Sequence, residues 1–211
     1  MFETVVDQAD GLRRLFTPRE PAVIPVGCCA GTDACLRQAG VILAKLAGRG
    51  HVPRLFDRLD LDHDLGEVQA HAPVDRLLIL DHPLRLARWL DERAPAGGAA
   101  MLLMLTHRAE ALPGQYATVK SIAARQRVRR VVTCFVDAPS VERRREAHAR
   151  LATCVGRFLD VEIAPLASEA DPDGLGEAAL ARLARLELGI QGLAPSDLLI
   201  QAPFALSRRA H

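Results

Sequence analysis

The sequence predicts an α/β protein in three layers, α/β/α, around a mainly parallel sheet. Three observations predict it. Short apolar runs alternate with longer segments of helical period. One run, Leu77-Leu78-Ile79-Leu80, is apolar without interruption, as a strand covered on both faces must be. And the chain is 211 residues long, 49% hydrophobic and 25% charged, which is enough apolar material for one sizeable core.

The elements follow in order. Phe2 to Phe16 has the pattern of an amphipathic helix, with Val5, Ala9, Leu12 and Phe16 on one stripe, broken by Thr17-Pro18. Ala22 to Val26 reads as the first strand. Asp33 to Ala47 reads as a helix carrying Leu36, Ala39, Ile42 and Leu43. Further strands are expected at Val52 to Phe56, Arg76 to Leu80, Ala99 to Leu105, Val131 to Val136 and Val161 to Ile163. Helices are expected at Leu84 to Glu92 and at Gly114 to Arg125, the latter with Tyr116, Val119, Ile122 and Ala123 inward. A long helix runs to Phe158 behind Ser140 as N-cap, and a last one spans Leu175 to Ile190 with Leu180, Leu183, Leu186 and Ile190 at helical spacing. Leu59 to Gln69 is the most loop-like interior stretch. The domain organisation expected is a partner-binding helix over residues 1–17 and a single α/β domain over residues 18–211.

The formal net charge of +1 gives no global attraction to nucleic acid or acidic lipid. Charge is local: Arg125, Arg127, Arg129, Arg130, Arg143, Arg144, Arg145 and Arg150 form one basic region, read as two solvated helix faces. Lys45 and Lys120 are the only lysines. The opening residues Met1-Phe2-Glu3-Thr4 lack the basic and apolar regions of a signal peptide, no apolar run reaches membrane-span length, and the expected location is cytoplasmic. Five cysteines in such a compartment do not suggest a disulfide framework.

Asp7-Gln8-Ala9-Asp10-Gly11-Leu12-Arg13 lies just ahead of the first strand. Ala9 and Leu12 can supply a small apolar face, Asp7 and Arg13 charge-assisted contacts, and Gln8 an amide able to orient an attacking water. In every specified position the segment resembles the DQAxxLR motif of FlhG-type (FleN-type) flagellar-number regulators, a branch of the MinD/ParA-like family. The resemblance implies a MinD-like P-loop NTPase fold behind an N-terminal amphipathic helix. It also implies that Asp7, Gln8, Ala9, Leu12 and Arg13 dock onto an FlhF-like GTPase, related to the signal-recognition particle, and stimulate its GTP hydrolysis. Flagellar switch proteins or a flagellar transcription activator are further partners implied by the same resemblance, with placement at the inner membrane or cell pole through partners.

The resemblance continues into the opening strand and helix, where the family carries a glycine-rich phosphate loop with two lysines and uses ATP and Mg²⁺. Here the turn reads Gly27-Cys28-Cys29-Ala30-Gly31-Thr32-Asp33. Aligned on the helix, Thr32 stands for the loop lysine, Asp33 for the Mg²⁺-binding threonine and Gly27 near the second lysine. Val74 to Asp81 is similar to the Walker B strand, with Asp81 as its acid, followed by His82-Pro83-Leu84. Phe56 to Asp60 stands loosely for the acidic switch region, Cys134 for an adenine-reading asparagine, Ser168 to Pro172 for the loop beside the base, and Gln115 to Lys120 for the helix after the fourth strand. Gly27, Gly31, Thr32, Asp33 and Asp81 are therefore the vestigial nucleotide-binding residues. A triphosphate cradle without lysine, and with an added acid, predicts little hydrolysis, because losing one charge-stabilising group typically costs on the order of 10²–10³ in rate. No cofactor and no catalytic residue is assigned to this chain.

Other constellations are weaker. Cys28, Cys29 and Cys35 cluster at the turn, but adjacent cysteines seldom make two good tetrahedral ligands, and small side chains filling space is the preferred reading. Asp60, Asp62, His63 and Asp64 match no metal loop, and no GxSxG is present. The last helix, with Arg182 and Arg185 beside its leucines, admits peripheral membrane contact, although Glu187, Gly189 and Gly192 favour ordinary packing. Two functional hypotheses result. The first is a flagellar regulator that activates an FlhF-like GTPase and has lost its own ATPase. The alternative is a working MinD/ParA-like ATPase with a rewired pocket.

Overall fold

The six strands pair in the order β2-β3-β1-β4-β5-β6, and every neighbouring pair is parallel. They are β1 (Ala22–Cys28), β2 (Pro53–Asp57), β3 (Arg76–Asp81), β4 (Ala99–Leu105), β5 (Val128–Phe135) and β6 (Glu162–Pro165). The helices are α1 (Thr32–Ala47), α2 (Pro83–Arg93), α3 (Leu112–Ala123), α4 (Val141–Phe158) and α5 (Glu177–Leu186). This is a computed structural model, and it describes residues 22–57, 74–93, 98–125, 127–166 and 175–186. The expected helix at 2–16 with its motif, the loop-like 59–69 with its acidic cluster, and Ser168 to Pro172 lie outside the described residues.

Side-chain alternation along the strands builds two cores. On one face Ile24, Val26, Cys28, Leu78, Leu80, Leu102, Met104, Val132 and Cys134 meet Cys35, Ala39, Ile42 and Leu46 of α1 and Ala179, Leu180 and Leu183 of α5. The opposite parity, including Val23, Ile79, Met101, Leu103, Leu105 and Val131, is also buried, and α2, α3 and α4 cover that side, packed in sequence on one another. β4 is buried at all seven positions, consistent with a strand in the interior of a doubly covered sheet. The predicted α/β architecture with a parallel sheet is thus observed.

Local chemistry explains where elements start. Ser140 accepts a hydrogen bond from the Arg143 amide and begins α4, as its side chain predicted. α3 starts two residues before the expected Gly114, with Pro113 in its first turn, where a missing N–H costs nothing. Its inward residues are Gln115, Val119 and Ile122, while Tyr116 and Ala123 are only half-buried. Half of the basic region is a helix face as expected, Arg143, Arg145 and Arg150 being exposed on α4, but the other half is not. Arg129 and Arg130 belong to β5, which reaches back to the buried Val128, and Arg130 pairs with Glu162 of β6 at 2.7 Å. Among the described residues no helix is long and apolar enough to cross a membrane.

Candidate functional site

In open parallel sheets ligands bind outside the carboxyl ends of the strands, where the direction of chain progression reverses. Here β1 leads through α1 toward β2 and β3, whereas β3 leads through α2 to β4 on the other side of β1. The reversal falls between β1 and β4. Its crevice would open above Cys28 and Leu105, and the first turn of α1 stands beside it.

Backbone pairing continues one residue into that crevice. β1 ends at Cys28, and α1 begins at Thr32 after only Cys29, Ala30 and Gly31. The Cys29 amide continues the ladder and donates to the Met104 carbonyl at 2.9 Å. Gly31 is the N-cap residue, with its carbonyl accepting from Ala34 and Cys35, and no side chain caps the helix. Gly31, Thr32 and Asp33 are exposed, and Asp33 places a carboxylate in the first turn, where the helix dipole favours negative charge. An incoming phosphate would meet that charge at the same end of the helix.

Gly27 and Asp81 are partners in the β1–β3 register. A side chain at Gly27 has no room: a Cβ there would lie 2.7 Å from Leu103 Cδ2 and 3.2 Å from Pro83 Cα and Cβ. Glycine at this position is therefore required by close packing of α2 and β4 on β1, and a lysine would displace them. Asp81 is 1% exposed and is held from its own side of the fold. The His82 amide donates to its Oδ1 at 2.6 Å, and Arg85 Nη2 of α2 approaches the same oxygen at 2.7 Å. The acid expected to serve a metal is engaged by an arginine one helical turn later.

Cysteines occupy the rest of the turn and its surroundings. Cys28 ends β1 against α1, with its side chain interacting with that of Cys35, whose Sγ lies 3.8 Å from the Ala30 carbonyl. The neighbouring Cys35 and burial push the Cys28 thiol up. Burial, with Cys35 adding to it, raises Cys29 to about 12 despite a hydrogen bond from Thr118. Cys134, expected from the resemblance at the place of a base-reading asparagine, is buried in the core and raised by burial to about 12. None of the three offers a thiolate near neutral pH. Among the described residues no group of three or more histidine, cysteine or acidic side chains is placed to hold a metal ion.

A polar cluster that the sequence did not disclose lies beyond β4 and β5. The Thr106 hydroxyl donates to Asp137 Oδ2, and the His107 amide donates to Oδ1 at 2.9 Å. The His107 ring nitrogen Nδ1 lies 3.1 Å from the same oxygen. Burial raises the Asp137 carboxyl, but these hydrogen bonds and the His107 ring outweigh it and hold the group below its ordinary value. Gln115 Nε2 donates to the Thr106 carbonyl at 2.7 Å, and Arg150 Nη2 reaches the His107 carbonyl at 3.4 Å. The cluster ties the ends of two strands to α3 and α4. Its bonded members are separated by up to 43 positions, so no local spacing signals it.

The site residues expected from the sequence thus divide. Gly27 and Asp81 meet across neighbouring strands, Gly31, Thr32 and Asp33 form the exposed start of α1, and Asp7, Gln8, Ala9, Leu12 and Arg13 lie outside the described residues. Comparison with protein-family models, with curated proteins and with solved structures finds no match for this chain.

Proposed function

We propose that this chain is a non-hydrolysing relative of MinD/ParA-like ATPases, of the FlhG type, that regulates flagellar placement or number. In this reading the domain has the MinD-like variant of the parallel α/β fold. It presents an N-terminal amphipathic helix, through Asp7, Gln8, Ala9, Leu12 and Arg13, to an FlhF-like GTPase and stimulates GTP hydrolysis there. Action in the cytoplasm, brought to the inner membrane or pole by partners, belongs to the same reading, as does contact with flagellar switch proteins or a transcription activator.

The observation that carries the reading is the occupied carboxyl edge. The Cys29 amide is committed to Met104, Gly27 admits no side chain, and Asp81 is bound by Arg85. A triphosphate needs free backbone amides and fixed positive charge around it, and these residues supply neither. The motif at residues 7–13 supports the partner half of the proposal from sequence.

GTP turnover by an FlhF-like GTPase tests it. Turnover is expected to rise on adding the full chain or a peptide spanning residues 1–17, and to fall back to basal with Gln8→Ala. A Gln8→Ala chain that stimulates as well as wild type ends the activator reading.

A further inference from the structure

Independently of that function, we infer that Cys28 and Cys35 are an oxidisable pair which a peroxide converts reversibly to a disulfide, fastening the last residue of β1 to the first turn of α1. The fold brings the two together. Cys28 closes β1, Cys35 ends the first turn of α1, and only a short turn of Cys29, Ala30 and Gly31 separates the elements. Both side chains belong to the same buried cluster and interact with each other. Filling space in this core calls only for small apolar side chains, as at Ala39 and Ala100. Two interacting thiols add a chemistry that alanine lacks.

Access is unequal, and this sets the order of events. Cys35 is fully buried, whereas Cys28 keeps 9% of its surface and lies beside the half-exposed Cys29 at the sheet edge. Peroxide therefore reaches Cys28 first. Its sulfur attacks the peroxide, an S–O bond forms as the O–O bond breaks, and one water leaves with the thiol proton. The Cys35 sulfur then displaces the hydroxyl of the sulfenic acid, forming the S–S bond and releasing a second water. Two thiols are oxidised and one peroxide is reduced to two waters. The contact between the two thiols and burial push Cys28 up, while the same contact holds Cys35 below its ordinary value; thiolate is therefore scarce at Cys28, the first step is slow, and Cys35 is the readier nucleophile of the second. A metal-thiolate site is disfavoured, since no third ligand of suitable type is in place among the described residues.

Peptide mapping of the folded, full chain after hydrogen peroxide treatment and alkylation of the remaining thiols tests this without any substitution. With the chain cleaved before Asp33, between the two cysteines, the expected product is one disulfide-linked peptide pair joining Cys28 to Cys35, which disappears on reduction with dithiothreitol. Cys29→Ser is expected to keep this linkage, and Cys28→Ser to lose it. The inference is overturned by a Cys28–Cys29 linkage, by linkage through Cys134, by sulfinic acid without any disulfide, or by thiols that stay unoxidised in the folded chain.

Discussion

Arg85 reaches back one turn along α2 and sets its Nη2 2.7 Å from Oδ1 of Asp81, an acid that ends β3 in the interior. A carboxylate so placed needs a positive partner, because an unpaired buried charge costs several kcal/mol. Arg85 is itself half-exposed, so water replaces part of what its loss removes. Arg85→Ala is expected to lower stability by about 1–3 kcal/mol in urea unfolding. In the Asp81→Asn background the same substitution should cost much less, and a double-mutant cycle measures the coupling. Equal costs in the two backgrounds would show that the pair contributes nothing.

The packing around Gly27 makes a second expectation. Leu103 is fully buried and Pro83 is backbone, so neither yields readily to an added Cβ. Gly27→Ala should destabilise by about 1–3 kcal/mol, the range for overpacked cores. Gly27→Lys should cost more and should create no ATP turnover, which a phosphate-release assay reads directly.

Nucleotide binding is tested by calorimetric melting. A ligand present at about 100 times its dissociation constant stabilises a fold by about 2.7 kcal/mol. Millimolar Mg-ATP is expected to leave the melting temperature unchanged. A shift of several degrees would restore the rewired-ATPase alternative.

His148 gives the pH dependence. Its Nδ1 lies 2.9 Å from the Thr133 hydroxyl, and burial, then the charge of Arg182, lowers its pKa from the ordinary 6.5. The folded state therefore binds this proton less readily than the unfolded chain. Stability rises with pH through the window that opens below 6.5, and is lost as pH falls through it, by at most about 1.4 kcal/mol per pH unit for one group. Urea midpoints at pH 7.5 and 5.5 should differ for wild type and converge for His148→Gln. Asp137 has the acid counterpart: its pKa is held below 3.8, so its contribution is present above that value and is lost only at lower pH.

Ser140→Ala should cost about 0.5–1 kcal/mol in the same measurement, since its 3.3 Å bond to the Arg143 amide is long for a cap. A cost of zero would mean that solvent satisfies that amide equally well.

Much of the scaffold was legible because burial on both faces writes itself into sequence as uninterrupted apolar runs, at Leu77 to Leu80 and at Ala99 to Leu105. β5 was read short because Arg129 and Arg130 interrupt its run; the strand extends to Val128 because Arg130 finds Glu162 across the sheet edge, a partner 32 positions away. Gln115 faced inward against expectation for the same kind of reason, its amide being required at the Thr106 carbonyl. In the site, the absent lysines could be read directly. Arg85 could also have been found, as a basic residue four places after an acid at a helix start. The Thr106–His107–Asp137 cluster could not, since only the pairing of β4 with β5 brings it together.

The single hydrogen bond from Cys29 to Met104 bears on how such a chain could change. A cradle for an anion needs slack, and here only three residues join strand to helix, the first of them still bonded to the sheet. Exchanging side chains, however many, leaves the path of the main chain as it is. Gaining a phosphate grip would require inserting residues into the turn, so the route to one passes through lengthening rather than point substitution.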